Sequence, residues 1–588
     1  MVALPSRIII YTLGLLLVHV TRVTPATISS SPAQTFNGIG GSGAWWPNDL
    51  WHFPEATRQN LASLLFSQSG LGLSSYRYNI GAGGVNVSNP TRAPETFFVR
   101  NGVYNFDADQ QGRYFLNEAA KRGVSSLTAF ANSAPPSLTS GGASCNGRFV
   151  SGNGDAYGTF LADVISHFHS QGVNISLISP MNEPDSNFGP SPCGQEGMQV
   201  LPNQRAEVVN GLWNALQARG LASTVGILAD ESSSLGSAVN EYSSWLPQVI
   251  NKVAALVHHT YDFPSDSSYT NYVSNVRNQF PGKLSWMSEI CCSLGNADGS
   301  GKGWSGGYDP TIKNALMFSS LVFQSLVLAN EPHYDFWTLV SNGLGCSPQN
   351  NPSCATSPNS NGWNDGLIYY DGNYARNGNF QLYIKKQFWT YKHFGNFVKP
   401  GSQRRAITGS GSTKFMMAVT DSSHFYVIAM NPNSADTTLA LTFPESNGSL
   451  GHLLAFSRYL GKIEMCKHIL NAQVSIRAPC CKQWYDCAEC HGESQTHPLA
   501  KTAEMAFICK KCKKAFRKNM SEYEESDEYC PHCDNHYVIE AKTPQAIVGV
   551  EGEDARVDNR MLKDDRVKQS TNRSLFTINS DDLTDKVG

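Results

Sequence analysis

Short apolar segments alternate with longer amphipathic segments over roughly the first 400 residues of the chain. Seven of the short segments have the pattern of strands that end in polar residues, and they cover residues 74–84, 125–136, 175–185, 223–233, 255–264, 283–292 and 334–343. Segments between them, such as residues 203–220 and 311–330, have the pattern of helices. This alternation of nearly eight strand–helix units predicts an α/β fold, a (β/α)8 TIM barrel over residues 27–395.

The pattern changes to short alternating strands with Gly, Asn and Ser turns at residues 414–421, 424–431 and 437–444. We interpret residues 396–446 as a β-sandwich side domain appended to the barrel, which the N-terminal strands of the chain could join. Residues 447–463 have neither alternation nor turn signals, so we expect a junction there and a truncated side domain, with an unpaired strand edge.

Charge and cysteine content change at the same place. Residues 461–588 contain 19 Lys+Arg and 21 Asp+Glu, whereas the 460 residues before them contain 26 and 27. Six cysteines are spread over the first part, which suits a few disulfides, and nine lie between Cys466 and Cys533. The formal net charge of -3 gives no reason to expect a nucleic-acid partner. The change predicts two separate units.

The N-terminus has the features of a secretory signal peptide, which we assign to residues 1–26. Arg7 precedes an apolar run at residues 8–20, and Thr24-Pro25-Ala26 supplies small residues for cleavage. The run is short for a spanning helix, so an uncleaved anchor is the less favoured alternative. We therefore expect an extracellular protein that has no membrane association after cleavage.

Two glutamates stand at the ends of predicted barrel strands, where barrel active sites form. Glu183, in the sequence Asn182-Glu183-Pro184, follows the apolar residues 175–180, and Glu289 follows residues 283–288. Cleavage of a glycosidic bond requires one protonated carboxyl group and one ionised carboxylate. Asn182 could bond the sugar 2-hydroxyl. The competing interpretation is that both glutamates cap helices or pair with arginines. Other strand ends carry Arg77, Asn132, His259, Tyr261 and Trp337.

Residues 33–445 resemble glycoside hydrolase family 30, and within it the fungal endo-β-1,6-galactanases. The resemblance rests on FNGIGGSGAWWPNDL (36–50), YRYNIGAGG (76–84), FANSAPPSLT (130–139), SPMNEPD (179–185), LADESS (228–233), HHTYD (258–262), WMSEICC (286–292) and FWTYKHFGNFVKPG (388–401). It implies retaining chemistry, with Glu183 as the general acid/base and Glu289 as the nucleophile. It also implies that Arg77 and Tyr261 orient or ionise Glu289.

Substrate contacts are expected from Asn182, Arg77, Asn132, Tyr261, Trp46 and Trp337, with Trp45, Trp304 and Trp363 as further sugar-stacking candidates. For each tryptophan taken alone, a place in the core is the favoured interpretation. Related sequences act on β-1,6-glucan or xylan, which are the alternative substrates. We expect a polysaccharide substrate, a monomer, and no cofactor for catalysis.

The C-terminal unit carries twelve residues of the types that bind zinc: Cys466, His468, Cys480, Cys481, Cys487, Cys490, His491, His497, Cys509, Cys512, Cys530 and Cys533. Tetrahedral zinc takes four ligands, so twelve fill three structural sites. Disulfides are the alternative, but nine is an odd number of cysteines. Residues 464–540 resemble a CHY-type zinc finger, and we assign residues 464–543 to that domain. The sequence departs from the family at Ile469, where the family has an aromatic residue after the first ligands. Residues 544–588 are polar and charged, and we expect them to be disordered.

The two units suit different redox compartments, because a signal peptide leads to an oxidising lumen and thiolate-rich zinc sites suit the cytosol or the mitochondrial intermembrane space. We interpret the chain as a join of two genes near residues 446–464, by fusion or by an error in the gene model. The leading functional hypothesis is a secreted retaining endo-β-1,6-galactanase with a non-catalytic zinc module. The alternative is a zinc-binding interaction or redox-chaperone protein whose truncated hydrolase part is inactive.

The sequence leaves the disulfide pairing open. Cys346 and Cys354 bracket a loop and could form a local disulfide. Cys291 and Cys292 could bond to each other or to partners such as Cys145 and Cys193.

Overall fold

The computed structural model describes residues 26–186, 188–422, 425–435, 437–444, 450–457, 468–469, 472–500, 502–512, 514–519, 521 and 524–539. The predicted signal peptide, apart from Ala26, and the predicted tail at residues 544–588 lie outside these residues. The chain divides into two compact units, Met1–Leu460 and Gly461–Gly588.

The first unit is built on an eight-stranded parallel sheet, which confirms the predicted barrel. We number its strands β1 (Gly38–Gly41), β2 (Ser75–Ile80), β3 (Ser126–Ala131), β4 (Leu177–Ser179), β5 (Gly226–Ser232), β6 (Val253–His259), β7 (Leu284–Glu289) and β8 (His333–Phe336). Neighbours in the sheet are neighbours in this order, and β8 pairs with β1. A bridge between Ser42 and Arg77 joins the extension of β1 to β2 and nearly closes the barrel.

Strands β2 to β8 lie within or overlap the seven segments that the apolar pattern predicts, whereas β1 lacks that pattern. The sequence of β1 is Gly-Ile-Gly-Gly, and its glycines permit a close approach of neighbouring strands. A Cβ atom on Gly40 would lie 2.4 Å from Oδ1 of Asp335 and from Cβ of Ser75. Packing inside the barrel therefore requires glycine at three of the four positions of β1, so the strand has no alternating or continuous apolar pattern.

Helices surround the barrel, and their apolar faces pack against the strands in one large core. They span Trp46–Leu50, Glu55–Phe66, Gln110–Lys121, Gly154–Ser170, Pro202–Ala218, Leu235–Trp245, Asp266–Gln279, Ile312–Phe323, Tyr374–Asn377 and Lys386–Phe397. Side chains cap several N-termini: Asp109 accepts from the Gly112 amide, and Ser265 accepts from the Ser268 amide. Among the described residues, one helical stretch, Ile312–Ala329, is long and apolar enough to cross a membrane, and 78% of it is buried inside the protein.

The side domain contains a six-stranded sheet. In sheet order its strands are Phe425–Ala429, Met416–Thr420, Gln403–Thr408, Ala26–Thr35, Thr437–Pro444 and Leu450–Ser457. The N-terminal strand Ala26–Thr35 lies inside this sheet, parallel to Thr437–Pro444 and antiparallel to Gln403–Thr408. Within the described residues this domain therefore has one sheet, where the sequence suggested a sandwich.

The structure corrects the expectation for the junction. Leu450–Ser457, within the predicted junction at residues 447–463, forms a strand antiparallel to Thr437–Pro444. Backbone pairing with Thr437–Pro444 stabilises a strand here, although the sequence pattern does not indicate one. The edge of Thr437–Pro444 that we expected to be open is paired.

Shorter strands form three small sheets around the barrel: Phe98–Arg100 with Val103–Tyr104, Gly147–Arg148 with Met198–Gln199, and Val340–Ser341 with Ile368–Tyr370 and Leu382–Ile384.

The second unit is a small antiparallel sheet with one short helix. Its strands, in sheet order, are Trp484–Tyr485, Val474–Arg477, Glu504–Cys509 and Ala515–Asn519, and the helix is Ala488–Ser494. Val474, Ile476, Phe507, Phe516 and Tyr537 form its apolar core. So small a core suits a unit that metal ions stabilise.

Candidate active site and metal centres

Glu183 and Glu289 lie close together at the C-terminal end of the barrel. Glu289 is the last residue of β7, and Glu183 lies in the turn that follows β4. Glu183 has a φ of 45°, in the left-handed region, and its amide donates to the carbonyl of Glu231 at 2.9 Å. A carboxylate oxygen of Glu183 lies within 4.8 Å of one of Glu289. Two carboxyl groups at about 5 Å match the geometry of retaining glycosidases.

Arg77 and Tyr261 hold the carboxylate of Glu289. Nη1 of Arg77 donates to Oε2 of Glu289 at 3.0 Å, and the Tyr261 hydroxyl donates to Oε1 at 2.9 Å. Burial raises the pKa of Tyr261 well above its usual value, so the hydroxyl keeps its proton and acts as a donor. Both carboxylate oxygens therefore accept from protein donors, and this fixes the orientation of the group.

His259, the last residue of β6, bridges two carboxyl groups. Its Nδ1 lies 2.9 Å from Oε1 of Glu183, and its Nε2 lies 3.0 Å from Oε2 of Glu231. Burial alone would lower the pKa of His259, but the anions Glu289, Glu183 and Glu231 raise it to about 10. The imidazole is therefore a cation that donates from both nitrogens. Glu183, His259 and Glu289 could geometrically surround a metal ion, but a doubly protonated imidazole has no lone pair for one.

Glu231, which the sequence analysis did not identify, connects these groups. It is fully buried on β5, and its carboxylate accepts from Nη2 of Arg77 at 3.2 Å, from His259, and from the hydroxyl of Ser288. Burial alone would raise the pKa of Glu231, but Arg77 and His259 lower it to about 2. The available signal was its place after the apolar residues Ile227–Ala229, the same context as that of Glu183 and Glu289.

The surroundings of Glu183 favour the protonated form of its carboxyl group. Burial raises the pKa of Glu183, and the neighbouring Glu289 also raises it, whereas His259 lowers it. The cations Arg77 and His259 balance the anions Glu231 and Glu289. A third negative charge in this buried site would exceed the charge of the two cations, so a proton on Glu183 is favoured. A neutral acid beside an ionised carboxylate is the arrangement that glycosidic cleavage requires.

A cleft of about 530 Å³ opens over the two glutamates. It is lined by Trp45, Arg92, Asn132, Asn182, Glu183, Phe188, Gln195, Ser233, Tyr261, Glu289, Cys291, Cys292, Trp304, Trp337, Trp363 and Asp365. Asn182 has a buried Oδ1 atom without a hydrogen-bond partner, which is free to accept from a ligand hydroxyl. Asn132 donates to Oδ1 of Asn79 at 3.2 Å, an interaction that orients it at the cleft surface.

Aromatic side chains form much of the cleft wall. Trp304 and Trp363 are 60% and 38% exposed, and their ring centroids are 5.9 Å apart. Trp304 packs edge-on against Tyr261 at 5.5 Å, and Trp45 packs edge-on against Trp337 at 4.7 Å. Exposed indole faces in a polar cleft suit the apolar faces of sugar rings.

Two expected substrate contacts have other positions. Trp46 is 2% exposed and packs against Phe115 at 4.6 Å, while its indole N–H donates to the carbonyl of Ser42. Trp46 belongs to the core and to a small adjoining cavity, and the neighbouring Trp45 lines the cleft. Arg77 is 1% exposed and lies beneath Glu289, so it contacts the carboxylate instead of the cleft surface.

All six cysteines of the first unit form disulfides. The pairs are Cys145–Cys193, Cys291–Cys292 and Cys346–Cys354. The structure thus selects the vicinal pairing that the sequence left open, and it places this pair in the wall of the cleft.

Among the described residues of the second unit, potential metal ligands form three clusters. They are Cys480, Cys481, His491 and His497; Cys509, Cys512, Cys530 and Cys533; and His468, Cys487 and Cys490. Within each cluster the ligand atoms lie within 4.8 Å of one another. Cys466, the remaining one of the twelve predicted ligands, lies outside the described residues.

The geometry of these clusters fits tetrahedral zinc. The Sγ atoms of Cys509 and Cys533 are 3.8 Å apart, and those of Cys512 and Cys530 are 3.6 Å apart. A tetrahedron with zinc–sulfur bonds of about 2.3 Å has edges of about 3.8 Å. In the first cluster, Cys480 Sγ lies 3.2 Å from Nε2 of His491, and Nε2 of His497 is buried without a hydrogen-bond partner. A metal ion would satisfy that nitrogen.

Comparison with protein families identifies two matches. The model of O-glycosyl hydrolase family 30 matches residues 25–343, and that of the CHY zinc finger matches residues 466–542. An endo-β-1,6-galactanase of Hypocrea rufa is 25% identical over 337 residues, which cover 50% of this chain and 66% of that protein. An uncharacterized protein of Schizosaccharomyces pombe is 55% identical over 103 residues, which cover 17% of this chain and 84% of that protein.

Solved structures share the fold of the first unit. A conserved exported protein from Bacteroides fragilis superimposes with a TM-score of 0.61 at 19% identity, covering 74% of this chain and 98% of its own. An endo-β-1,6-glucanase gives 0.57 at 17% identity, with coverages of 74% and 93%. The catalytic domain of the xylanase C of Talaromyces cellulolyticus gives 0.52 at 20% identity, with coverages of 71% and 89%. At these identities the likeness concerns the fold alone.

Proposed function

Because the chain belongs to O-glycosyl hydrolase family 30, we propose that it is a retaining endo-glycosidase that cleaves β-1,6-linked galactan side chains of arabinogalactan-type polysaccharides. The glycoside hydrolase class follows from the family. The observation that carries the mechanism is a pair of carboxyl groups with oxygens within 4.8 Å of each other. Glu289 is oriented by Arg77 and Tyr261, and Glu183 lies in a site that favours its proton. The similarity to the Hypocrea rufa enzyme supports the galactan linkage.

In the first step, the carboxylate of Glu289 attacks the anomeric carbon, and the bond to the glycosidic oxygen breaks. Glu183 gives its proton to that oxygen, so the leaving sugar departs as an alcohol. Arg77 and Tyr261 orient the attacking carboxylate by hydrogen bonds to its two oxygens. The product of this step is a glycosyl ester on Glu289.

In the second step, Glu183 acts as a base. It takes a proton from a water molecule, and the water oxygen attacks the anomeric carbon and displaces Glu289. His259 donates to Glu183 and stabilises its anionic form between the two steps. The enzyme returns to its starting protonation state, and the anomeric configuration of the substrate is retained.

Substrate binding is proposed for the cleft side chains. Asn182, adjacent to the acid, accepts from the sugar 2-hydroxyl through its unpaired Oδ1, a contact that strengthens in the transition state. Trp304, Trp363, Trp337 and Trp45 supply apolar faces for successive sugar units. Asn132 contributes a further polar contact.

The hydrolase is proposed to work outside the cell as a monomer. The predicted leader supports secretion, and three disulfides in the first unit suit an oxidising compartment. The zinc module is proposed to bind three structural ions, with Cys466 completing the cluster of His468, Cys487 and Cys490. Zinc supplies cross-links for the small core of that unit, and the hydrolytic steps use the barrel residues.

The two units are proposed to be functionally independent. The Schizosaccharomyces pombe relative resembles the zinc module over 84% of its length, which supports the hypothesis of a join between two genes. Peptide mapping of the purified protein across Phe443–Lys467 tests this. A peptide that spans the junction means that both units belong to one molecule. If neither this peptide nor any later peptide is found, the two units are separate proteins.

The function is tested with the purified full chain on β-1,6-galactan, β-1,6-glucan and xylan. We expect fastest cleavage of the galactan, internal products, and initial release of β-anomers by proton NMR. The Glu289→Gln variant should be folded and inactive. Preference for glucan or xylan would overturn the linkage, and initial α-anomers would overturn the retaining mechanism. A folded, zinc-loaded wild-type chain without activity on any glycan would favour the zinc-binding interaction function.

A further inference from the structure

The segment that follows the nucleophile contains the disulfide between Cys291 and Cys292. These adjacent residues come two and three positions after Glu289, and both line the catalytic cleft. They are 1% and 4% exposed, so most of their surface packs against the protein. The catalytic steps do not use this disulfide.

Backbone atoms of this segment hold three loops that carry cleft tryptophans. The Ile290 carbonyl accepts from the Trp337 amide at 3.1 Å. The Cys292 amide donates to the carbonyl of Asn364 at 3.3 Å, and the Cys292 carbonyl accepts from the amide of Ser305 at 3.0 Å. Asn364 and Ser305 directly follow Trp363 and Trp304. The backbone of Cys292 is therefore bonded to both loops that present the most exposed indoles of the cleft.

The side chain of Cys291 adds a contact to the catalytic tyrosine. Its Sγ atom lies 3.9 Å from the Tyr261 hydroxyl, which donates to Glu289. Tyr261 in turn packs against Trp304. Nucleophile, tyrosine and aromatic wall thus meet at one four-residue segment, Glu289–Cys292.

Cys292 has an unusual backbone conformation for a residue with a side chain. Its φ is 59°, in the left-handed region that favours glycine. A non-glycine residue keeps such a conformation only where its surroundings enforce it. A covalent bond to the preceding side chain supplies a local restraint at the point where the two tryptophan loops are attached.

We propose that the Cys291–Cys292 disulfide is a positioning element for the sugar-binding wall, which we define as Tyr261, Trp304, Trp337 and Trp363. It fixes this wall relative to Glu289, and the wall takes the apolar faces of the pyranose rings next to the cleaved bond. The inference deepens the proposed function, since it concerns how the same cleft holds a polysaccharide, and it does not depend on which linkage is cleaved.

The test variant is Cys291→Ala/Cys292→Gly in the full chain, because glycine adopts the left-handed φ without a steric penalty. The matched control is Cys346→Ala/Cys354→Ala, which removes a disulfide that does not line the cleft. Kinetics use the glycan of the galactan, glucan and xylan panel that the wild type cleaves best. We expect KM to rise about tenfold or more with a smaller change in kcat, because a displaced wall weakens binding more than chemistry. The control should keep the wild-type KM.

A second measurement needs no substrate. Acrylamide quenching of tryptophan fluorescence should increase in the Cys291→Ala/Cys292→Gly variant and not in the control, because a released wall exposes Trp304 and Trp363. Wild-type KM together with wild-type quenching would overturn the proposal. A wild type without activity on galactan would overturn the proposed linkage alone, and the quenching result would still decide this inference.

If the variant does not fold, the wild-type chain is treated with tris(2-carboxyethyl)phosphine. Each disulfide takes up two electrons and two protons and becomes two thiols, and mass spectrometry of labelled thiols shows which pairs have opened. A raised KM that follows the labelling of Cys291 and Cys292 supports the proposal. An unchanged KM after complete labelling of this pair overturns it.

Discussion

The imidazole of His259 donates from Nε2 to the carboxylate of Glu231 at 3.0 Å, within the buried base of the active site. Glu231 also accepts a hydrogen bond from Arg77. It therefore connects His259, which contacts the proposed acid Glu183, with Arg77, which contacts the proposed nucleophile Glu289. No part of Glu231 is accessible to a sugar, because the residue is fully buried. Its contribution to catalysis is therefore the position and charge of its neighbours.

Replacement of Glu231 with Gln should lower both stability and activity. At pH 7 we expect the free energy of unfolding to fall by about 3 kcal/mol, because a pKa near 2 against the usual 4.5 reflects that much stabilisation of the anion. We expect kcat/KM to fall about 100-fold, because Arg77 and His259 lose their common anchor. Urea denaturation and steady-state kinetics measure the two effects.

The stability difference between wild type and Glu231→Gln should decrease as the pH falls. The folded pKa of Glu231 lies below its unfolded value, so its contribution is present above about pH 4.5 and disappears as pH falls towards 2. The difference between wild type and Glu231→Gln should shrink over that range. Glu118→Gln, which removes a partner of Lys121 and Arg122 on an outer helix, is the control that should leave kcat/KM unchanged. A constant difference from pH 7 to pH 3 would contradict the assignment.

Replacement of His259 with Gln should move the alkaline limb of the pH–rate profile to higher pH. The protonated imidazole lowers the pKa of Glu183, so a neutral amide in its place lets that pKa rise further. The acid then keeps its proton to higher pH, although the maximum rate falls. His258→Gln is the matched control, since the neighbouring His258 contacts Glu331 instead of the two glutamates. A limb that moves to lower pH would contradict the charge assignment.

The sequence predicted the barrel because its strands are apolar runs that end in polar residues. Strand β1 does not have this apolar pattern, because close packing against Ser75 and Asp335 requires glycine at position 40. The strand Leu450–Ser457 was not predicted either, because its conformation comes from pairing with Thr437–Pro444. Gly40 contacts residues that are remote in sequence, and Leu450–Ser457 has no periodic pattern of its own. In both cases the strand is recognised only from its contacts with other segments.

Within the site, strand-end position indicated Glu183 and Glu289 but could not indicate the role of Glu231. All three carboxyl groups follow apolar runs, and only contacts with Arg77 and His259 distinguish a buried anchor from a group at the cleft. The adjacent tryptophans show the same limit. Trp45 has a φ of 74°, and this turn directs Trp45 to the cleft and Trp46 to the core. No sequence pattern specifies that turn.

Substitution of the two tryptophans should separate binding from stability. Trp304→Ala removes a side chain that is 60% exposed, so we expect a change in stability within about 0.5 kcal/mol and a KM about five- to tenfold higher. Trp46→Ala removes a buried ring that packs on Phe115 and should cost about 3–5 kcal/mol. Thermal unfolding and kinetics on the preferred glycan measure both. A raised KM in Trp46→Ala with unchanged stability would show that Trp46 contacts the substrate and is not a core residue.

Removal of zinc should unfold the second unit and leave hydrolysis unchanged. Native mass spectrometry of the full chain should show three zinc ions, because two clusters offer four ligands each and Cys466 is proposed to complete the third. Cys512→Ser should lower the count by one, since it breaks the cluster of Cys509, Cys512, Cys530 and Cys533, whereas Ser521→Ala, at an exposed serine outside the three clusters, should not. After chelation, hydrogen exchange should become fast in residues 474–539 while kcat/KM stays within about twofold. The proposed catalytic pair Glu183 and Glu289, and their partners Arg77 and His259, all lie in the barrel. A proportional fall of kcat/KM with zinc content would show that the two units are coupled.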